Sequence, residues 1–255
     1  MIKYIIIFLI IFLNFKSSFS RNAGETEITT ENGIEVFQNE KYYLLKKNVQ
    51  ISSDELTLNG QNVKIFFDKD LYDIKELVAK EDVSFESNEY NISGRGSEVK
   101  FNIINQEITV YGKSSELFLE DTKMLSNEEI YINNIKGSFF IKGLNSKLIS
   151  DNIFINGSKI TGTFEIINEK RNISELVVED DEKLNIKTDD LTMFSKKAKY
   201  DKRKSVIELF EEVQINRGNE IITGDYGILD TKKNSYKVSS KNSNKVKAII
   251  VGTNE

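Results

Sequence analysis

Two residue types that most often carry catalysis and metal binding are missing from this 255-residue chain: it has no histidine and no cysteine. Their absence removes the commonest general base, the commonest zinc ligand, the thiolate nucleophile and any disulfide framework. Carboxylates and amines are left. Asp201, Asp225 and Asp230 lie close in sequence and could pair for acid–base work. They also fall where short apolar runs break, positions at which an aspartate oxygen accepts backbone N–H donors. The run Glu179-Asp180-Asp181-Glu182 offers oxygen ligands for calcium, yet it lacks the glycine and the spaced ligands of a calcium loop and reads as a solvated turn. Lys196, Lys197, Lys199, Lys202, Arg203 and Lys204 form the densest basic cluster, either a set of point charges for phosphate or a solvated hairpin turn. These residues supply no catalytic constellation, no metal site and no cofactor site, and the chain reads as a non-enzyme.

The elements that must position these groups are strands. Between Ala198 and Asp230 the chain runs through Val206-Ile207-Glu208-Leu209, Val213-Gln214-Ile215 and Ile222-Thr223-Gly224-Asp225, each run short, rich in β-branched residues and closed by charged or Gly/Asn turns. That is the signature of consecutive antiparallel strands. Proline is absent throughout, so no strand lacks a donor for its ladder. After Leu13 no segment holds a helical period; Asp70 to Ala79, with Leu71, Ile74, Leu77 and Val78 at helical spacing, reads as a turn followed by a strand.

The strands repeat. Ile222-x-Gly224-Asp225-x-Gly227-x-Leu229 is matched by Leu58-x-Gly60-Gln61-x-Val63-x-Ile65, Ile186-x-Thr188-Asp189-x-Leu191-x-Met193 and Leu148-x-Ser150-Asp151-x-Ile153-x-Ile155. Looser copies are Gly94-x-Gly96-Ser97-x-Val99-x-Phe101 and Ile160-x-Gly162-Thr163, and the runs Val49-Gln50-Ile51, Val83-Ser84-Phe85 and Val213-Gln214-Ile215 precede several of them. Side chains alternate faces along a strand, so the shift of apolar parity by one at each small-polar pair predicts a bulge or a corner there. Stacked corners predict an elongated, curling antiparallel sheet with a continuous apolar interior.

The first twenty residues differ from the rest. Lys3 precedes an apolar run from Tyr4 to Leu13, and Ser18 and Ser20 stand at the minus-three and minus-one positions of a cleavage site after Ser20. The run is short of the ~20 residues a membrane span needs; a cleaved secretory signal over 1–20 is expected, with a short anchor as the alternative. Arg21 to Asn32 reads as a polar leader without periodicity. Cleavage would remove Lys3 and Lys16 and no acid from a chain with 35 basic and 40 acidic side chains, so the mature chain is acidic, which argues against a nucleic-acid partner. Secretion without cysteine points to the periplasm.

The ordered set from Ala198 to Asp230, with Val213-Gln214-Ile215-Asn216-Arg217-Gly218 followed by Ile222-x-Gly224-Asp225, resembles the OstA-like (LptA) family of lipopolysaccharide transport proteins, and weaker copies cover Val49 to Phe101 and Asp151 to Met193. The resemblance implies a twisted, open β-jellyroll over 33–255, built of two or more tandem units clearest at 198–230. It implies a periplasmic bridge carrying lipopolysaccharide from inner to outer membrane, with lipid A acyl chains in an apolar groove. The lining would come from Val49, Ile51, Leu58, Val63, Ile65, Val83, Phe85, Val99, Phe101, Ile153, Ile155, Leu191, Met193, Val213, Ile215, Ile222 and Leu229. The same positions equally suit a filled core. Partners would be further transport components and copies of the chain, joined head to tail through a first strand at Gly33 to Phe37 and a last at Lys245 to Val251. Two alternatives stay open: a structural β-repeat protein without ligand, and an LptC-like anchored component of the same pathway.

Overall fold

A computed structural model describes residues 23–69, 73–150, 153–168, 170–240 and 245–250. The signal over 1–20 lies outside these residues. Eighteen strands and no helix are found among them: β1 (Glu27–Thr29), β2 (Ile34–Phe37), β3 (Tyr42–Ser52), β4 (Leu56–Phe67), β5 (Ile74–Ser87), β6 (Ile92–Asn102), β7 (Glu107–Tyr111), β8 (Ser115–Leu119), β9 (Thr122–Ser126), β10 (Glu129–Asn133), β11 (Ser138–Ser150), β12 (Ile153–Ile167), β13 (Lys170–Lys187), β14 (Thr192–Asp201), β15 (Val206–Arg217), β16 (Glu220–Asp230), β17 (Ser235–Ser239) and β18 (Lys247–Ile250). Every pairing is antiparallel, and the chain is an all-β, jellyroll-like stack. The stretch from Ile74 is strand rather than helix, and within the polar leader Glu27–Thr29 is not irregular but pairs with β3.

Most long strands serve two half-sheets. Residues 42–45 of β3 pair with β2 and residues 42–46 with 62–66 of β4; residues 50–52 pair with β1 and 57–59 of β4. The same division recurs through β5, β6 and β11 to β16, while β7/β8 and β9/β10 are strands cut in two at that level. One half-sheet therefore runs unbroken from β2 to β17 through β7 and β10, and the other from β1 to β18 through β8 and β9.

The crossing is made at a corner. Lys47 and Asn48 both take left-handed backbone angles (φ 67° and 50°), as do Glu81/Asp82 and Glu211/Glu212. Each such pair stands opposite one residue of the neighbour: Gln61, Ser97 and Asp225. Two residues against one is a bulge, and it turns the strand and shifts side-chain parity by one. The polar residue serves the bulge: Gln61 accepts from the Asn48 backbone N–H at 3.2 Å and donates to its side chain at 3.1 Å. Gly60, Gly96 and Gly224 sit beside these corners, in agreement with three copies of the repeat. One other is a hairpin turn instead, Thr188-Asp189 joining β13 to β14, while in the copy Ser150-Asp151 the serine ends β11 and Asp151 lies outside the described residues. The Gly162-Thr163 copy lies in the paired run of β12, beside a register shift after Thr163. The corners of β12 and β14 fall at Gly157-Ser158 and Ser195-Lys196, where Ile155-x-Gly157-Ser158-x-Ile160 carries the same spacing.

Inward residues of the two half-sheets meet in one apolar cluster reaching from Leu45 to Leu229. Aligned packing of this kind puts alternate residues of each strand into a shared interior. Phe85 and Phe101 meet edge to face at 4.9 Å across two of its strands.

A candidate apolar site beneath the β12–β13 flap

The acidic and basic residues that could have done chemistry are occupied in turns and pairs. Asp201 Oδ1 accepts from the Lys204 backbone N–H at 3.1 Å, and Asp230 Oδ1 from those of Lys232 and Lys233 at 3.1 and 2.8 Å. Hydrogen bonds from Lys204 hold the Asp201 carboxyl below its ordinary value, and those from Lys233 do the same for Asp230. Asp225 stands in the β16 corner. The run Glu179 to Glu182 enters the β13 corner, where Asp180 Oδ1 takes the N–H groups of Glu182 and Lys183, each at 2.9 Å. Among the described residues no group of His, Cys, Asp and Glu could hold a metal ion. The basic cluster is not one hairpin turn: Lys196, Lys197 and Lys199 lie within β14, and only Lys202 to Lys204 form the turn to β15. Its charges are largely matched, Lys196 by Glu212 at 2.8 Å, Lys197 by Glu179 at 2.5 Å and Lys202 by Glu165 at 3.7 Å.

Of the seventeen lining positions read from the sequence, all but Ile153 and Ile222 are buried, with Val63, Leu58, Val99 and Met193 fully so. All but Ile222 belong to the common apolar cluster or pack against it. A cavity of about 190 Å³ does open between the half-sheets at β11–β15. From one side Leu148, Ile153, Ile155 and Ile186 line it; from the other Ile173, Leu176, Val178, Ala198, Tyr200 and Ile207. Only Ile153 and Ile155 belong to the set expected from the repeat. The others sit on inward positions of their strands, but whether an inward residue meets a neighbour or a void depends on how far the half-sheets splay, which a repeat pattern does not carry. Burial, then Asp201 and Glu165, raises the Tyr200 phenol above its ordinary pKa, so this polar group stays neutral at the wall.

The mouth of the cavity is closed by a flap. β11 stops at Ser138 opposite Thr163, and β14 stops at Asp201 opposite Glu175, so residues 164–167 and 170–173 pair only with each other. This two-stranded tip is anchored by Phe164, whose ring stacks on Phe139 at 4.7 Å and whose backbone N–H donates to Gly137 O at 2.7 Å. A Cβ on Gly162 would meet the Phe139 ring at 2.5 Å, so only glycine lets that ring lie flat over β12. From the tip Arg171 reaches the other half-sheet. Its backbone N–H donates to Glu120 Oε2 at 3.0 Å, and its Nη1 donates to Tyr90 O at 2.9 Å and to Glu120 Oε1 at 3.3 Å. Glu120 lies in the β8–β9 turn and Tyr90 in the β5–β6 turn. Both charged side chains are mostly covered, 20% and 12% exposed. Lys170 faces Asp121 at 3.9 Å alongside. An interaction between partners 51 residues apart leaves no trace in sequence spacing.

Neither the family models nor the curated proteins give a match to this chain. Among solved structures the chain is similar to LptH from Pseudomonas aeruginosa, described as the LptA-homologous periplasmic component of the conserved lipopolysaccharide transport device. That likeness is at 7% identity, covers 89% of this chain and 96% of that one, and has a TM-score of 0.23. A superposition this loose carries no argument for fold or function.

Proposed function

We propose that this protein binds the acyl part of an amphiphile between its half-sheets, as a periplasmic lipid-carrying bridge of the lipopolysaccharide transport type. The supporting observation is the cavity under the flap: apolar on both walls, rimmed by Lys170, Arg171, Lys202, Glu120 and Asp121. It is larger than the ~150 Å³ apolar cavity that takes up a benzene ring and stays free of water. Transfer of a chain into such a site contributes about 0.8 kcal/mol per methylene, and needs no catalytic group. At this volume one chain segment enters; the several chains of a lipid A require the half-sheets to part, which means releasing Arg171 from Glu120. The seventeen repeat positions then form the wall of a groove that widens from the cavity.

End-to-end assembly belongs to the same reading. β2 and β17 bound one half-sheet, β1 and β18 the other, and among the described residues each pairs on one side only. β2 and β18 are exposed along nearly their whole length, with Ile34, Val36, Ile249 and Ile250 in water. An unpaired apolar edge is a template for another strand, so head-to-tail pairing with another copy or another transport component is part of the proposal. The test is a photo-crosslinking residue at Ile153 or Ile173 in cells making radiolabelled lipopolysaccharide. Label captured at these sites supports the reading. No capture at either, with the protein folded, leaves a structural β-repeat protein without ligand.

A further inference from the structure

The hairpin turns of the two half-sheets form two rims with opposite character. Along the β2–β17 half-sheet successive turns are tied by backbone hydrogen bonds, Asn134 N–H to Gln106 O at 3.0 Å, Phe164 N–H to Gly137 O at 2.7 Å and Thr231 N–H to Ser205 O at 2.8 Å. Isoleucines project from this row: Ile104 is 67% exposed, Ile135 64% and, at the flap tip, Ile166 75%. The next turns carry Lys202-Arg203-Lys204 and Lys232-Lys233. The turns of the β1–β18 half-sheet carry Asp54-Glu55, Glu89, Glu120-Asp121 and Asp189-Asp190, and no exposed large apolar residue is found among their described positions.

Single exposed isoleucines are ordinary and ask for no explanation. Isoleucines on neighbouring turns of one rim, continued by cations and faced by an acidic rim, are a directional arrangement. Lys202, Lys204 and Lys233 are matched by Glu165, Asp201 and Asp230. We infer that the β2–β17 rim docks on an anionic bilayer surface, its isoleucine tips entering the headgroup region and Arg203 and Lys232 meeting lipid phosphates. Ile103 and Ile167 are also exposed beside Ile104 and Ile166, and the polar Asn105, Gln106 and Lys136 stand among them. Apolar prongs beside basic residues match the interfacial layer of a membrane, where apolar insertion and attraction to anionic lipid act together. On the other rim Glu120 and Asp121 are matched by Arg171 and Lys170 of the flap, and Asp54-Glu55, Glu89 and Asp189-Asp190 add no attraction for an anionic surface, so charge favours the isoleucine rim although the chain as a whole is acidic. This inference stands apart from lipid uptake into the cavity: either can fail without the other.

The chain has no tryptophan, so one introduced tryptophan is a site-specific reporter. Ile104→Trp and Ile135→Trp are compared with Leu144→Trp, which lies in the corner row and is 74% exposed. Because each probe reports only its own position, the full chain can be used. With vesicles of phosphatidylethanolamine and phosphatidylglycerol, the emission of the two rim probes shifts to the blue and the corner probe does not. The shift is absent with phosphatidylcholine vesicles, fades as salt is raised, and needs about tenfold more lipid when Arg203 and Lys232 are changed to glutamate. Three results overturn the inference: no shift at either rim position, an equal shift at Leu144→Trp, or a shift that depends on protein concentration without vesicles, which would assign the rim to a second copy.

Discussion

Between β3 and β10 side chains fill the space the half-sheets enclose; between β11 and β15 a cavity of about 190 Å³ remains. Both regions are built from the same corners and the same alternating apolar residues. In the first, Leu58, Val63, Val99, Leu117 and Ile130 have no exposed surface. In the second, small Ala198 and half-buried Ile173 and Tyr200 stand on one wall and half-buried Ile153 on the other, and the flap bridges the gap. The repeat sets which residues face inward, and side-chain volume together with one long hairpin sets whether the interior is full.

Removing volume from the filled region has the largest expected effect. Ile130→Ala should lower unfolding free energy by about 2–5 kcal/mol, read from urea denaturation, because nothing nearby can collapse onto the void. Half-buried Ile173→Ala, at the cavity, should cost well under that; equal losses would mean the two regions pack alike. Arg171→Met should come next, at about 1–3 kcal/mol, since mostly covered Glu120 loses its cationic partner and keeps only the backbone N–H of residue 171. The same variant should speed exchange of a fluorescent fatty acid, and an unchanged exchange rate would show that the flap does not govern access. A matched pair sharpens the contrast further. Ala79 and Ala198 are buried at corresponding inward positions beside a corner. Ala79→Leu should destabilise by about 1–3 kcal/mol through overpacking, whereas Ala198→Leu should be tolerated and should reduce lipid uptake.

Acid should separate the regions least. The Tyr131 hydroxyl, with Asn133, holds Glu107 below its ordinary value of 4.5, and Lys197 does the same for Glu179. A carboxyl with a lowered folded pKa contributes stability that is full above 4.5 and lost as pH falls through the lowered value. Urea midpoints measured from pH 7 to pH 3 should thus drop only below 4.5, and Glu107→Gln and Glu179→Gln should each remove a similar small part of that drop. A large difference would show that the outer faces, too, distinguish the two regions.

Much of the fold was legible because a corner needs specific residue types. Gly60-Gln61, Gly96-Ser97 and Gly224-Asp225 marked true corners through the parity shift they force. Thr188-Asp189 deceived the same pattern, and Ser150 ends a strand rather than turning a corner, since a hairpin turn also wants a small residue and an aspartate. Length arbitrates between them, because a corner falls in mid-strand and a turn at its end. The site was far less legible. Ile153 and Ile155 were found as inward strand residues, but the cavity is missing volume, and the Arg171–Glu120 contact joins residues that only the completed stack brings together.

One consequence of the corners concerns how such a chain can change in length. Each bulge is answered by a residue of the next strand, Lys47-Asn48 by Gln61 and Glu81-Asp82 by Ser97. Adding or deleting one residue there would put one arm out of step and turn its apolar side chains toward water. A whole hairpin brings its own pair of answering corners. The fold can therefore grow or shrink in hairpin steps while resisting single-residue insertions along its crease, which makes the crease a ruler for the span the protein can cover.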